Sequence, residues 1–248
     1  MDEFVGKVAL ITGAGRGVGR EIALAFSSLG ALVAANDINP INLDETVSLI
    51  LQAGGKARAY VFDIAKRMPI EALVTQITDH FGRIDFLVNH ASVQPDAYLL
   101  EMDEWEFHRT LDVNLGGPFF TMQQVGRVMR QLGGGAIVNL ISTMGQAGLH
   151  KGDAAHLASQ AGVIGLTCAA AREFAEYNIR VNSVCHGSLG MDLIPSHDWN
   201  IPAYHHWLEA FPNVGLGDHP NLVSMVLFLC SHAVSSLTGQ VMFVDPGK

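Results

Sequence analysis

The chain has 248 residues, of which 49% are hydrophobic and 16% are charged, and its formal net charge is -9 at pH 7. This length fits one α/β domain with a single large core, and the scarcity of charge indicates a sheet covered by helices on both faces. Because the net charge is negative and the lysines and arginines do not cluster, nucleic acids and anionic membranes are not expected as partners.

The three cysteines, Cys168, Cys185 and Cys230, lie far apart in apolar segments. This placement is typical of buried thiols in a reducing compartment and matches neither disulfide nor metal spacing. Asp2 and Glu3 stand where a secretory signal carries positive charge, and no apolar run is expected to approach the length that spans a membrane. We therefore expect a cytoplasmic protein.

Short apolar segments alternate with longer helical patterns along the chain. Strands are predicted at Val8–Thr12, Leu32–Asn36, Ala57–Phe62, Phe86–Asn89, Ala136–Ile141, Ile179–Val184 and Gln240–Val244. Helices are predicted at Val18–Ser28, Leu43–Ala53, Pro69–Phe81, Trp105–Gln131, Ala154–Glu176 and Asn221–Ser231. This alternation predicts a doubly wound, parallel, seven-stranded sheet of the Rossmann type, with helices on both faces. We find no linker, so residues 1–248 are expected to form a single dinucleotide-binding domain.

A glycine-rich loop follows the first predicted strand and opens the first predicted helix. Its sequence is Thr12-Gly13-Ala14-Gly15-Arg16-Gly17-Val18-Gly19. Glycines in this context let the backbone approach a pyrophosphate, which the amide groups of the helix N-terminus then hold. The second predicted strand ends at Asp37, whose carboxylate suits both hydroxyls of an adenosine ribose and repels a 2'-phosphate. The pattern therefore predicts NAD rather than NADP.

One stretch at about 188–218 interrupts the alternation. It holds three prolines and a polar and aromatic cluster, Trp199, Tyr204, His205, His206 and Trp207. Long segments that follow the carboxyl end of a strand are commonly lids or binding loops, and we predict a lid here. The alternative is an aromatic surface helix that packs against the body of the protein or a neighbouring subunit.

Several motifs resemble those of the short-chain dehydrogenase/reductase family, in particular its compact acyl-carrier-protein ketoreductases, over essentially the whole chain. They are Thr12–Gly19, Asp63-Ile64, Asn89-His90-Ala91-Ser92, Asp112-Val113-Asn114, Ser142, Asn178–Asn182 and Leu237–Gln240 with Val244-Asp245. The resemblance implies catalytic roles for Ser142 and Asn114 and an assembly of two or four subunits. It implies a cofactor site made by Gly13, Arg16, Gly17, Val18, Gly19, Asp37, Asp63, Ile64, Asn89, Ala91, Gln160 and Gly187.

The same resemblance places His156 and Gln160 where the family has its catalytic Tyr and Lys. Three more departures, Ser92, His186 and Met191, fall on the nicotinamide and substrate side, whereas the adenine side is unchanged. We therefore expect the adenosine half of NAD to be bound and the chemistry to be altered or lost.

Replacing Tyr and Lys together is chemically coherent. A phenol with a pKa of about 10 needs a neighbouring cation to work near neutrality, whereas imidazole, with a pKa of about 6.5, does not. Gln160, one helical turn after His156, can bond a ribose hydroxyl, and Asp153 can cap the helix or pair with an imidazolium. Together Ser142, Asn114, His156 and Gln160 form the predicted catalytic set.

Two functions remain open at this point. One is an NAD(H)-dependent alcohol/ketone oxidoreductase with His156 as acid/base. The other is a catalytically silent NAD-binding subunit that associates with active family members through the helix Ala154–Glu176. The histidines that could approach the cleft match no zinc spacing, so we expect no metal; they are His150, His156, His186, His205 and His206.

Overall fold

The computed structural model describes residues 3–142, 152–186 and 219–244. Seven strands form one sheet in the order β3-β2-β1-β4-β5-β6-β7, and each neighbouring pair is parallel. The strands are β1 Val8–Thr12, β2 Leu32–Asp37, β3 Lys56–Val61, β4 Phe86–Asn89, β5 Gly135–Ser142, β6 Ile179–His186 and β7 Val241–Val244. The strand order reverses direction beside β1, so the predicted doubly wound Rossmann-type sheet is confirmed.

The helices of the described chain connect these strands. They are α1 Gly17–Ser28, α2 Pro40–Gln52, α3 Arg67–Phe81, α4 Glu104–Leu111, α5 Gly117–Leu132, α6 Ala154–Phe174 and α7 His219–Cys230. The single helix predicted over Trp105–Gln131 is in fact α4 and α5, joined by a π-helical turn at Asp112–Gly116. Pro118 follows this turn and has no N–H for the regular helical bond, so the backbone changes its hydrogen-bond spacing here.

The sheet divides the core into two layers. Ala9 and Ile11 of β1 pack with α1, α2 and α7, whereas Val8 and Leu10 pack with α3, α5 and α6 on the opposite face. Alternate side chains of a strand point to opposite faces, so a strand buried on both sides is apolar throughout. This is why β1 has no polar alternation in its sequence.

Helix α6 differs from expectation in one respect. By length and composition alone, α6 with the short 3-10 helix that follows it, Ala154–Tyr177, is long and apolar enough to cross a membrane, with 24 residues and a mean hydropathy of 1.2 over an 18-residue stretch. The expectation that no segment reaches that length was wrong for this helix. Its composition has a local cause, because Val163, Ala170 and Ala171 are buried in the core beside the sheet.

Candidate functional site

The glycine loop lies between the ends of three parallel strands. Gly13 and Gly17 adopt positive φ angles of 69° and 52°, which favour glycine. A Cβ atom on Gly13 would lie 2.9 Å from the Cα of Ala91, and one on Gly15 would lie 2.7 Å from Oδ2 of Asp37. The loop therefore has no room for a side chain at Gly13 or Gly15, and its backbone can come close to a ligand at the N-terminus of α1.

The rest of the predicted loop residues open helix α1. Arg16 is exposed just before the helix, where its guanidinium is free to meet a phosphate, whereas Val18 and Gly19 are buried. A Cβ on Gly19 would collide with the carbonyl oxygen of Gly13. Gly19 thus permits the close packing of the helix on the loop.

Two residues that sequence analysis missed hold this loop in place. The guanidinium of Arg20 donates to the carbonyl of Gly15 at 2.6 and 3.1 Å. The buried hydroxyl of Thr46 donates to the carbonyl of Ala14 at 2.9 Å. These bonds tie the loop to α1 and α2, and a wholly buried polar residue on an otherwise amphipathic helix is the signal that points to such a role.

Asp37 is half-buried at the end of β2, beside the loop. Its Oδ2 accepts a hydrogen bond from the backbone N–H of Gly15 at 2.9 Å, and its Oδ1 accepts one from Asn39 at 2.9 Å. Each carboxylate oxygen can accept a second bond. The carboxylate is therefore oriented in advance and keeps the capacity to bind two hydroxyl groups.

Asp63 and Ile64 follow β3. Burial by itself raises the pKa of Asp63, but hydrogen bonds from the N–H of Ala65 and from Arg109, with the positive charges of Arg109 and Lys66, outweigh it and leave the pKa below its ordinary value. Asp63 is therefore an ionised and oriented acceptor. Ile64 is buried and packs against the start of α5.

Asn89 lies at the end of β4, but its side chain points into a chain of buried hydrogen bonds. Thr121 donates to Asn89 Oδ1 at 2.7 Å, and Asn89 Nδ2 donates to Asn139 Oδ1 at 2.8 Å. Asn139 Nδ2 then donates to the hydroxyl of Thr167 at 2.9 Å. This chain joins α5, β4, β5 and α6 under the site, and sequence analysis did not foresee it.

His156 occupies the first turn of α6, with 2% of its surface exposed. Its Nδ1 lies 3.2 Å from the carbonyl oxygen of Val93 and 3.3 Å from Nδ2 of Asn114. That Nδ2 already donates to Val93 at 2.8 Å and to Ser159 Oγ at 3.1 Å, which uses both of its hydrogens. We therefore assign the proton of the neutral imidazole to Nδ1, where it is donated to Val93.

The opposite ring nitrogen of His156 is in a different situation. Nε2 is buried and has no hydrogen-bond partner among the residues that the structure describes. Burial lowers the pKa of His156, and the Val93 carbonyl and the charge of Asp153 offset this only in part. Near neutral pH the imidazole is consequently uncharged, and Nε2 carries a lone pair that is available to accept a proton.

Ser142 and Gln160 meet at the end of β5. The backbone N–H of Ser142 donates to Oε1 of the buried Gln160 at 3.1 Å. Because Gln160 lies one turn after His156, this bond fixes the face of α6 that carries His156 against the strand end. The hydrogen bond to Ser142 uses only one atom of the Gln160 amide, so the predicted bond to a ribose hydroxyl remains a prediction.

Of the two roles that the sequence left open for Asp153, capping α6 and pairing with an imidazolium, the structure does not bear out the first. Asp153 stands at the N-cap position, yet no capping bond from its side chain is found in the described chain. Its Oδ1 instead accepts a hydrogen bond from Nε2 of Gln94 at 2.7 Å. The carboxylate is held toward the segment after β4 rather than toward the amides of its own helix.

Some predicted features lie outside the described residues: Gly187, Met191, His150, His205, His206 and the lid at about 188–218. His186 ends β6 and pairs in register with Ser142, while Ser92 is exposed. Within residues 3–142, 152–186 and 219–244, no three His, Cys, Asp or Glu side chains come together in a way that could hold a metal ion.

Two curated proteins are similar to this chain over nearly its full length. A 3-oxoacyl-(acyl-carrier-protein) reductase of Thermotoga maritima is 38% identical, over 98% of this chain and 97% of its own. An uncharacterized oxidoreductase of the same organism is 36% identical, over 99% of this chain and 98% of its own.

Solved structures give the same result. An NAD+-bound xylitol dehydrogenase superposes with a TM-score of 0.88 at 30% identity and covers 99% of this chain and 100% of its own. A short-chain type dehydrogenase/reductase from Mycobacterium marinum superposes with a TM-score of 0.87 at 33% identity, over 98% of this chain and 95% of its own. The family model described as enoyl-(acyl carrier protein) reductase matches residues 13–248. The chain therefore belongs to the short-chain dehydrogenase/reductase family of oxidoreductases.

Proposed function

We propose that this protein is an NAD(H)-dependent oxidoreductase that interconverts an alcohol and a ketone, with His156 and Gln160 in place of the family's catalytic Tyr and Lys. One observation carries the proposal. His156 presents a buried Nε2 without a partner in the described chain, while the carbonyl of Val93, which Asn114 also bonds, holds the other edge of the ring. A base that is fixed on one side and unpaired on the other is equipped to exchange a proton with a substrate.

The choice of NAD rests on the adenosine side. Asp37 is oriented by Gly15 and Asn39 and can accept both ribose hydroxyls, and its negative charge opposes a 2'-phosphate. The glycine loop next to Asp37 lets the backbone amides approach the pyrophosphate of such a cofactor. These residues fit a nicotinamide dinucleotide, which when bound accepts or delivers the hydride of the reaction. The similarity to an NAD+-bound dehydrogenase is in keeping with this choice.

In the oxidation direction, the substrate hydroxyl donates to His156 Nε2 and its proton passes to that nitrogen. Nδ1–H remains on the Val93 carbonyl throughout, so the ring does not rotate. The charge of Asp153 stabilises the imidazolium that forms. Ser142 orients the substrate oxygen through its hydroxyl, and Gln160 keeps Ser142 against α6. Because burial lowers the pKa of His156, its neutral form prevails at pH 7, which is the form that accepts the substrate proton.

The decisive experiment measures turnover and cofactor binding together. The whole chain is incubated with NAD+ and a panel of secondary alcohols, and the absorbance of NADH is followed for the parent and for His156→Ala. We expect turnover in the parent, at least a hundredfold loss in the variant and equal NADH affinity in both. A parent that binds NADH but turns over no substrate would instead favour the catalytically silent subunit.

We also propose that the protein assembles with itself, as a dimer or tetramer, through α6. Its exposed small residues form a stripe along one face: Ala158, Ala161, Gly165 and Ala169. A cavity of about 320 Å³ between α5 and α6 adjoins it, lined in part by Phe119 and Phe174. Gly162 is not part of this stripe, since it packs against Leu115 within the chain.

Light scattering of the parent and of Gly165→Glu tests the assembly. We expect the variant to be smaller than the parent, and a monomeric parent would contradict the proposal. A mixed assembly with an active relative would show as pull-down of that relative.

A further inference from the structure

Two buried acceptor atoms lie at the N-terminus of α6, one on its N-cap residue and one on its first turn, within the proposed active site. Asp153 and His156 are 4% and 2% exposed. In the part of the chain that the structure describes, neither Asp153 Oδ2 nor His156 Nε2 has a hydrogen-bond partner. Buried polar atoms are nearly always paired, so these two atoms point to a bound group that supplies their partners.

Both atoms require a donor from that group. His156 Nε2 is an acceptor because Nδ1 carries the ring proton toward Val93. The other oxygen of Asp153, Oδ1, already accepts from Gln94, so Oδ2 is the oxygen that remains. The bound group must therefore supply two hydrogen-bond donors, one for each acceptor.

The two residues are also held by one short segment of the chain. His156 Nδ1 donates to the carbonyl of Val93, and Asp153 Oδ1 accepts from Nε2 of Gln94, the next residue. The negative charge of Asp153 acts to raise the pKa of His156, which agrees with neighbouring side chains. A ligand that satisfies both acceptors must carry two hydrogen-bond donors near each other, and hydroxyl groups on adjacent carbons are such a pair in an alcohol.

We propose that Asp153 and His156 form a paired acceptor site for an alcohol with hydroxyl groups on neighbouring carbons. The hydroxyl of the reacting carbon donates to His156 Nε2, and the adjacent hydroxyl donates to Asp153 Oδ2. Asp153 is then a specificity-determining residue, since a monohydroxy alcohol leaves its buried oxygen unpaired. The inference rests on the proposed function and adds its substrate class.

Gln94 offers a matched control for Asp153. Its Nε2 donates to Oδ1, the oxygen that the proposed ligand does not use. Asp153→Asn keeps an acceptor for Gln94 but replaces the free acceptor by an amide N–H group and removes the charge. Gln94→Ala removes the bond to Oδ1 and leaves the charge and Oδ2. Only the first change should alter the preference for a second hydroxyl.

The test compares meso-2,3-butanediol with 2-butanol, which differ by one hydroxyl group, on the full chain saturated with NAD+. Calorimetry gives the affinities and NADH absorbance gives kcat/KM. A hydrogen bond to a charged acceptor predicts a preference of about 10- to 100-fold for the diol. Asp153→Asn should bring the ratio close to 1, and Gln94→Ala should retain most of it. If Asp153→Asn does not fold, Asp153→Ala replaces it.

Each outcome decides the proposal. A parent without a preference for the diol in either measurement overturns it, and water is then a sufficient partner for the two acceptors. A preference that survives the loss of the Asp153 carboxylate overturns it as well. Tighter binding of the diol that depends on Asp153, with no turnover of any alcohol, would support the paired site and contradict the proposed catalytic function.

Discussion

Asn114 and His156 meet at one backbone group, the carbonyl of Val93. Nδ2 of Asn114 donates to that oxygen at 2.8 Å, and Nδ1 of His156 lies 3.2 Å from it. Oδ1 of Asn114 also accepts from the N–H of Val93 at 2.8 Å, so the amide bonds both backbone groups of this residue. The position of the imidazole therefore depends on the π-helical turn that presents Asn114.

The first prediction concerns the two hydrogen bonds between Asn114 and the backbone of Val93. Asn114→Ala leaves the N–H of Val93 without its buried partner and removes the bonds that Asn114 donates to the Val93 carbonyl and to Ser159 Oγ, while Ser159 keeps its own bond to the His156 carbonyl. We expect the free energy of unfolding to fall by about 2–3 kcal/mol. Urea unfolding of the purified variant measures the change. Asn114→Asp keeps the acceptor for the N–H of Val93 but loses the donor, so its free energy of unfolding should lie between those of the parent and of Asn114→Ala. Unchanged stability in Asn114→Ala would show that Val93 is held by other contacts.

The second prediction concerns cofactor choice. NADH should bind at least tenfold more tightly than NADPH, because Asp37 accepts ribose hydroxyls and repels a phosphate. Titration calorimetry with both cofactors measures the ratio, and Asp37→Ala should narrow it. Equal affinities in the parent, or tighter binding of NADPH, would contradict the role of Asp37.

The third prediction is the pH dependence of the reaction. Ketone reduction needs protonated His156, so its rate should fall as the pH rises through the lowered pKa of this residue, below about 6.5. Alcohol oxidation needs the neutral ring and should rise through the same value. Asp153→Asn should shift both profiles to lower pH, because the carboxylate raises the pKa. Profiles centred well above 7 would assign the proton to another group.

The fourth prediction is a loss of stability in mild acid. The pKa of His156 is lowered in the folded state, so as the pH falls below about 6.5 the unfolded chain takes up a proton that the folded chain does not, and the stability decreases. Burial by itself raises the pKa values of Asp63 and Asp85, but their hydrogen bonds and cationic neighbours outweigh burial and leave both values below the ordinary one. The stability that these two carboxylates give the fold is therefore lost only below about pH 4. Unfolding curves between pH 7.5 and 5 measure the effect.

The control for the acid effect is His156→Gln, which removes the titrating group and keeps a polar side chain. Its stability should depend less on pH between 7.5 and 5 than that of the parent. Equal slopes in the two proteins would mean that the acid sensitivity comes from other histidines.

The fifth prediction rebuilds the family's pair. His156→Tyr with Gln160→Lys should reduce simple ketones, because Ser142 and Asn114 are present and the lysine cation lowers the pKa of the phenol. Either single change should do much less, since Tyr alone keeps a high pKa and Lys beside His156 lowers the wrong group. NADH consumption over a carbonyl panel is the measurement. A double variant that binds NADH but reduces nothing would place the defect in the orientation of the nicotinamide, near Ser92, His186 and Met191.

Local patterns determined much of the fold. β1 and β4 have the bounds predicted from their apolar runs, and the glycine loop lies where its strand–turn–helix context places it. The start of α2 was missed by three residues, although the signal is local: Asn39 accepts from the N–H groups of Ile41 and Asn42, and Pro40 follows it. The resemblance to the family predicted the candidate catalytic set of His156, Gln160, Ser142 and Asn114.

The sequence by itself determined the parallel sheet and the glycine loop, because hydrophobic periodicity and glycine placement act over a few residues. The candidate site residues followed from the resemblance to a family and not from any local pattern. Only the tertiary structure decided what those residues do with their polar atoms. The tautomer of His156 depends on Val93, which lies 63 residues away in the chain. The free oxygen of Asp153 depends on Gln94, at a separation of 59 residues. Hydrogen-bond partners at such distances are set by the packing of α6 against the strand ends, and no local pattern encodes them.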